Sequence, residues 1–196
     1  QQTIKAKIKN QAIGLAVAGM PAPNMLHWAE AVKSGDAENH EGRAAAWYWK
    51  NISKNVLPAG ADFIRDAAGE PPNAWLNYAY AIVRATAARA LVGSGLLPTL
   101  GIFHRNQYNA YCLADDIMEP YRPFADMLVR KIMKEAEGPL TDLTPEVKKK
   151  LLALPAVDVK LEGETSPLMI AMQRTSASLA KCFLGEARKI AYPLLE

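Results

Sequence analysis

Between Gly101 and Pro123 the chain reads GIFHRNQYNAYCLADDIMEPYRP, a stretch that concentrates side chains able to do chemistry. His104 falls on a polar loop and Glu119 on the helix-like segment that follows. Asp115 and Asp116 come just before the glutamate, and Arg105 and Arg122 bracket the group. A histidine with several carboxylates is the ligand set of a divalent metal, and arginines suit a polyanionic substrate. The spacing of three places Asp116 and Glu119 on one helix face. A further carboxylate, Glu41, heads the run EGRAAAWYW, with Ala45 and Tyr48 on its stripe and Arg43 and Lys50 on the solvated side. A glutamate on such a stripe needs a cation, a metal or hydrogen-bond donors. Plainer readings stay open for each residue: a loop histidine satisfied by backbone, a solvated acidic face, and a first-turn glutamate favoured by the helix dipole. The spacing is none of the compact metal signatures, such as two histidines one helical turn apart.

The elements that must position these groups are helical. Ile4, Ile8, Ala12 and Leu15 recur at helical intervals in a first helix that fades between Gly14 and Gly19. Asn24 can cap a second helix reaching Lys33, and a third runs from about Ala37 to Ser53. A short helix fits Ala61 to Ala68. From Asn73 to about Val92 apolar residues lie all round the circumference, the pattern of a helix buried within a bundle, which makes Arg84 and Arg89 conspicuous. Leu113 to Ala136 is helical again, broken or kinked at Pro120 and Pro123. Thr144-Pro145-Glu146 is a helix start with a cap, a first-position proline and a first-turn acid. The alternation Val157 to Leu161 fits one short strand, and Ser166-Pro167 opens the last long helix. The expected fold is all-α, a single multi-helix domain with at most that strand near 157–161.

At 196 residues there is room for one substantial domain. Half the residues are apolar, an ordinary globular composition, and the net charge of +3 is too small to identify a nucleic-acid binder without knowing where the charges cluster. Cys112 and Cys182 suit two buried, reduced thiols of a cytoplasmic protein rather than a disulfide scaffold or a zinc site. No apolar run is long enough to span a membrane, and QQTIKAKIKN is no signal peptide. The chain opens straight into a helical pattern without an initiator methionine, which suggests a piece of a longer protein.

The order of four segments carries a resemblance. These are NHEGRAAAWYW around Glu41, NAWLNYAYAIVRA from Asn73 to Ala85, GLLPTLGIFHRNQ from Gly95 to Gln107, and LADDIMEPYRPFAD from Leu113 to Asp126. In that order they resemble the CRISPR-associated integrases that insert new spacers into a repeat array, most nearly the branch found with type II systems. The resemblance covers nearly the whole chain, with its specific motifs between Asp36 and Asp126. It implies a helical catalytic domain whose metal-binding catalytic triad falls on Glu41, His104 and Glu119. Asp116 becomes a neighbour that assists the triad or holds a second ion. Arg84, Arg105, Asn106, Gln107 and Arg122 become candidates for contacting the DNA backbone or supporting the triad.

The same resemblance implies manganese or magnesium as cofactor and double-stranded DNA, protospacer and repeat, as substrate. It further implies a prokaryotic cytoplasmic setting, a homodimer of the full-length protein and a small dimeric adaptation partner. Family members carry an N-terminal β-rich domain that this sequence lacks, so residues 1–196 are expected to be the C-terminal catalytic domain. The implied reaction is phosphodiester transesterification. Its alternatives are a metal-dependent endonuclease working by hydrolysis and a non-catalytic helical DNA-binding scaffold. Trp47, Tyr48, Trp49, Trp75, Tyr78 and Tyr80 are aromatic enough to stack on splayed bases, though core packing is their plainer role.

Overall fold

The computed structural model describes residues 1–52, 54, 63–66, 69, 71–136 and 142–196. Among these the chain forms helices α1 (Gln2–Val17), α2 (Pro23–Ala31), α3 (His40–Ile52), α4 (Asn73–Gly93), α5 (Cys112–Met118), α6 (Arg122–Glu135), α7 (Pro145–Leu151) and α8 (Leu168–Phe183). A 3-10 turn, Glu119–Tyr121, joins α5 to α6, and strands β1 (Asp158–Leu161) and β2 (Glu164–Pro167) form one antiparallel hairpin. This is the all-helical architecture expected. The short helix expected over 61–68 lies largely outside the described residues, and residues 63–66 within it are irregular.

Proline chemistry sets several boundaries. Pro120 and Pro123 each fall at the start of a helical segment, where a missing N–H costs nothing, so they bend the 112–135 run without ending it. Thr144 caps α7, its hydroxyl accepting the Val147 N–H at 3.3 Å. The alternation at 157–161 is realised as β1. Ser166 and Pro167 open α8 as expected, Pro167 being its N-cap, and they also pair with Val159 and Asp158, because Glu162 and Gly163 both adopt positive φ and turn the chain back as a hairpin.

Two apolar clusters make the core. The larger gathers around α4, whose Trp75, Leu76, Ala79, Val83, Ala87 and Leu91 pack on α5, α6, α7, α8 and the 3-10 turn Leu154–Ala156. The smaller joins α1, α2 and α3 through Ile8, Leu15, Met25, Ala29, Tyr48 and Ile52. Trp49 and Met127 touch both. The expectation that α4 is buried all round is corrected: Ala81, Arg84, Ala85, Arg89 and Val92 form an exposed stripe, alanine-rich enough to resemble a buried face in sequence. Cys112 is buried as expected, but Cys182 is only half-buried near the end of α8, and both are free thiols.

One polar side chain fixes the seam between the clusters. Asn10 of α1 is fully buried, and its amide donates to the carbonyls of Pro120 (2.8 Å) and Pro193 (3.0 Å). Its Oδ1 accepts the Leu195 N–H at 3.1 Å. With these groups satisfied, the asparagine ties α1 to the α5–α6 junction and the C-terminal segment. Lys7, three residues earlier on the same face, is thereby brought against Glu119.

Candidate functional site

Each of the expected ligands is held by a different local device. Glu41 sits in the first turn of α3, which is capped from outside. Asp36, at φ 46°, accepts the N–H groups of His40 (3.0 Å) and Glu41 (2.8 Å), satisfying two of the donors that a helix start leaves free. Glu119 is fixed by the 3-10 turn and by the Asn10 bond to the next carbonyl. His104 hangs from the loop between α4 and α5, and that loop is folded around Asp116.

Asp116 is 5% exposed and accepts four hydrogen bonds: from the backbone N–H of Ile102 (2.6 Å), Phe103 (2.9 Å) and His104 (3.2 Å), and from His104 Nδ1 at 2.6 Å. The last assigns the imidazole proton to Nδ1 and leaves Nε2 as the basic edge, the arrangement by which a carboxylate orients a metal-ligating histidine. Gly101 makes the loop possible. A Cβ there would collide with the His104 carbonyl and come within 2.8 Å of Cys112 Cβ. Sequence reasoning passed over Gly101, whose only signal was a glycine just before the histidine motif.

Glu41, His104, Asp116 and Glu119 all line one cavity of about 330 Å³, together with Arg105, Phe103 and the first residues of α1. The cation in the cluster is Lys7, also unforeseen. Its ammonium lies 2.7 Å from Glu41 Oε1 and 2.6 Å from Glu119 Oε2. Burial alone would lower the Lys7 pKa, but Glu119 and Glu41 outweigh it and hold the group above its ordinary value, so it is charged. Arg122 meets Glu119 Oε1 at 3.1 Å. Lys7 is thus the cation on Glu119 Oε2, a buried oxygen with no other donor among the described residues.

That oxygen, held by Lys7 alone, bears on how a metal would fit. Among the described residues no three His, Cys, Asp or Glu side chains converge as a finished metal cluster. Two carboxylates are nonetheless already gathered around one cation, and an oriented imidazole faces the same cavity. Oxygen donors with one nitrogen are a chemically suitable set for manganese or magnesium.

The remaining expected residues divide. Arg105, Asn106 and Gln107 line a neighbouring cavity of about 410 Å³ that shares His104 with the first, and all three are exposed. Arg84 and Arg122 are engaged by carboxylates: Arg84 Nε donates to Asp115 at 2.7 Å, and Arg122 pairs with Glu119 while its guanidinium lies over the Tyr80 ring. Of the aromatics, Tyr48, Trp75 and Tyr80 are buried, as core packing requires, and Trp47 is exposed in edge contact with Trp28. The exposed rings at the site are Phe103, Tyr108 and Tyr111, on the histidine loop itself.

The profile of CRISPR associated protein Cas1 matches residues 1–154. This chain belongs to the Cas1 family. It is 34% identical over 180 residues to a CRISPR-associated endonuclease Cas1 from Neisseria meningitidis serogroup C (strain 8013), a match covering 91% of this chain and 57% of that protein. The chain thus spans little more than half of that relative's length. In fold it is similar to a casposase bound to integration product, with a TM-score of 0.76 at 22% identity over 96% of this chain and 64% of the other. It is likewise similar to a chain of a Cas6-RT-Cas1–Cas2 complex, with a TM-score of 0.73 at 19% identity, covering 94% and 23%. At these identities the two structures speak for the fold. No helix among the described residues is long and apolar enough to cross a membrane.

Proposed function

We propose that this Cas1 chain is the catalytic part of a metal-dependent DNA strand-transfer enzyme that inserts short spacers into a CRISPR repeat array. The observation that carries this reading is the gathering of Glu41, His104 and Glu119 in one cavity, with Glu119 Oε2 buried and held by Lys7 alone. Glu41, His104 through Nε2, and Glu119 are the residues that would hold manganese or magnesium. The bound ion supplies Lewis-acid stabilisation of charge developing on the phosphoryl oxygens.

The chain's own groups prepare the site. Asp116 fixes the imidazole edge and Arg122 steadies Glu119. Arg105, Asn106 and Gln107 offer an exposed polar rim on which phosphates can be positioned without reading sequence. In the reaction a 3′-hydroxyl oxygen attacks a phosphorus of the repeat strand. One phosphodiester bond forms as another breaks, the attacking hydroxyl gives up its proton, and the departing 3′-oxygen takes one. No nucleotide hydrolysis is required.

The name endonuclease carried by the Neisseria relative favours a second reading, in which water is the nucleophile at the same site. The experiment is a reaction of the full-length protein with labelled protospacer and repeat DNA in manganese, repeated with Glu41→Ala, His104→Ala and Glu119→Ala. Joined strands that vanish in all three variants support transfer, shortened strands alone support hydrolysis, and wild-type activity in any variant removes that residue from the mechanism. Dimerisation through an N-terminal β-rich domain, and contact with a small dimeric partner, belong to the same proposal for the whole protein. The fold relative taken from a complex with Cas2 supports the latter.

A further inference from the structure

We propose that Lys7 is a built-in counter-ion that competes with the divalent metal for Glu41 and Glu119. The inference rests on the metal reading above and concerns how the site is kept when no metal is bound. Two carboxylates brought close at a buried point repel each other, and each would resist desolvation without a cation. Lys7 answers both problems. Its ammonium touches one oxygen of each glutamate, at 2.7 and 2.6 Å, and its side chain is 12% exposed. Glu119 is covered on both oxygens by cations, Lys7 on Oε2 and Arg122 on Oε1.

Lys7 is positioned to do this and not merely to reach a random acid. Asn10, on the same face of α1, locks that helix to the Pro120 carbonyl, so the register of the ammonium against Glu119 is set by a buried hydrogen bond. One helical turn earlier, Thr3 lines the cavity on which both glutamates open.

The competition has a definite sign. A divalent ion drawn to these carboxylates must either evict the ammonium or sit beside it, and both lower metal affinity. A lysine that only held the carboxylates in place for the metal would do the opposite, because its removal would loosen the site.

The test is calorimetric titration of manganese into the 196-residue chain and into Lys7→Met and Lys7→Arg. Lys7→Met is expected to bind manganese about tenfold more tightly than the parent, within the usual range for coupled sites. Lys7→Arg, which keeps the charge, is expected to stay near the parent. Without metal Lys7→Met should melt lower, and manganese should raise its melting temperature more than the parent's. Equal or weaker binding by Lys7→Met overturns the counter-ion inference and leaves the metal reading intact. No binding by any of the three removes the metal reading, and the inference with it.

A measurement on the unaltered chain guards against a variant that fails to fold. The Lys7 Nζ resonance, observed by NMR, should lose its ion-paired signature as magnesium saturates the site. A resonance unchanged at saturation overturns the proposal.

Discussion

Glu119 and Asp126 stand seven residues apart on either side of Arg122, both almost completely buried, yet their surroundings have opposite designs. Asp126 takes its hydrogen bonds from neutral donors, with the Arg122 and Arg65 charges acting from further away. The hydroxyls of Tyr48 and Tyr80 give it hydrogen bonds of 2.9 and 2.5 Å, one to each oxygen. Glu119 is held by charges, Lys7 on Oε2 and Arg122 on Oε1, with a cavity in front. A buried carboxylate satisfied by fixed hydroxyls is a packing element joining α3, α4 and α6. One neutralised by exchangeable cations beside open space is equipped to change partners. The difference teaches that burial and charge alone do not mark a site, whereas the kind of partner does.

The widest expected separation is in catalysis. Glu119→Gln keeps the shape of the side chain but removes the charge, and strand transfer by the full-length protein should fall roughly hundredfold or more, because the ligand itself is lost rather than its support. Asp126→Asn should leave the rate within a fewfold of the parent. A large loss in the asparagine variant, at temperatures where circular dichroism shows it folded, would abolish the distinction drawn here. Gly101→Ala should resemble Glu119→Gln in activity while touching no ligand, since the added methyl displaces the loop that hands His104 to Asp116. Its signature is loss of manganese binding with a modest change in melting temperature.

The second separation is in pH dependence. Burial pushes the Asp126 carboxyl up to about 6 against an ordinary 3.8, with Tyr80 and Tyr48 opposing the rise. The folded state therefore holds this proton more tightly than the unfolded chain. That contribution is fully present below about pH 3.8 and is lost as pH rises through about 6, remaining absent above it. The difference corresponds to about 3 kcal/mol, at roughly 1.4 kcal/mol per pH unit. Urea unfolding of the parent and Asp126→Asn across pH 4 to 7 should show this declining contribution in the parent and not in the variant. Parallel stability curves would mean that Asp126 is ionised throughout.

The contrast also explains what could be read from the chain beforehand. Helices were legible because apolar periodicity, prolines and caps act over a few residues, as at Thr144 and Pro120. Glu41, His104 and Glu119 were named together only through the resemblance, which rests on four segments arriving in one order, and the structure brings all three to one cavity. Lys7 was not, since a lysine in KAKIKN looks like solvated charge until Asn10 fixes α1 against the Pro120 carbonyl. Asp126 was not singled out either. Its two tyrosines are 78 and 46 positions away in the chain, and nothing local distinguishes a carboxylate that will meet hydroxyls from one that will meet water. The pairing of Arg84 with Asp115 was hidden for the same reason, its carboxylate lying 31 positions further along the chain.

The smallest expected effect divides the arginines by partner. Arg122 is committed to Glu119 and to the face of Tyr80, so its removal should act on the site through Glu119. Arg105 is exposed, lines both cavities and makes no ion pair among the described residues, so its charge is available to a phosphate. In a DNA-binding titration with salt, Arg105→Ala should weaken affinity about threefold to tenfold at moderate ionic strength. It should also lower the slope of log affinity against log salt by about 1, the loss of one phosphate contact. Arg122→Ala should leave that slope nearly unchanged while reducing metal-dependent activity. If instead Arg122→Ala lowers the slope and Arg105→Ala does not, the phosphate path runs over the Glu119 side of the cavity, and the histidine loop is a lid rather than a track for the DNA backbone.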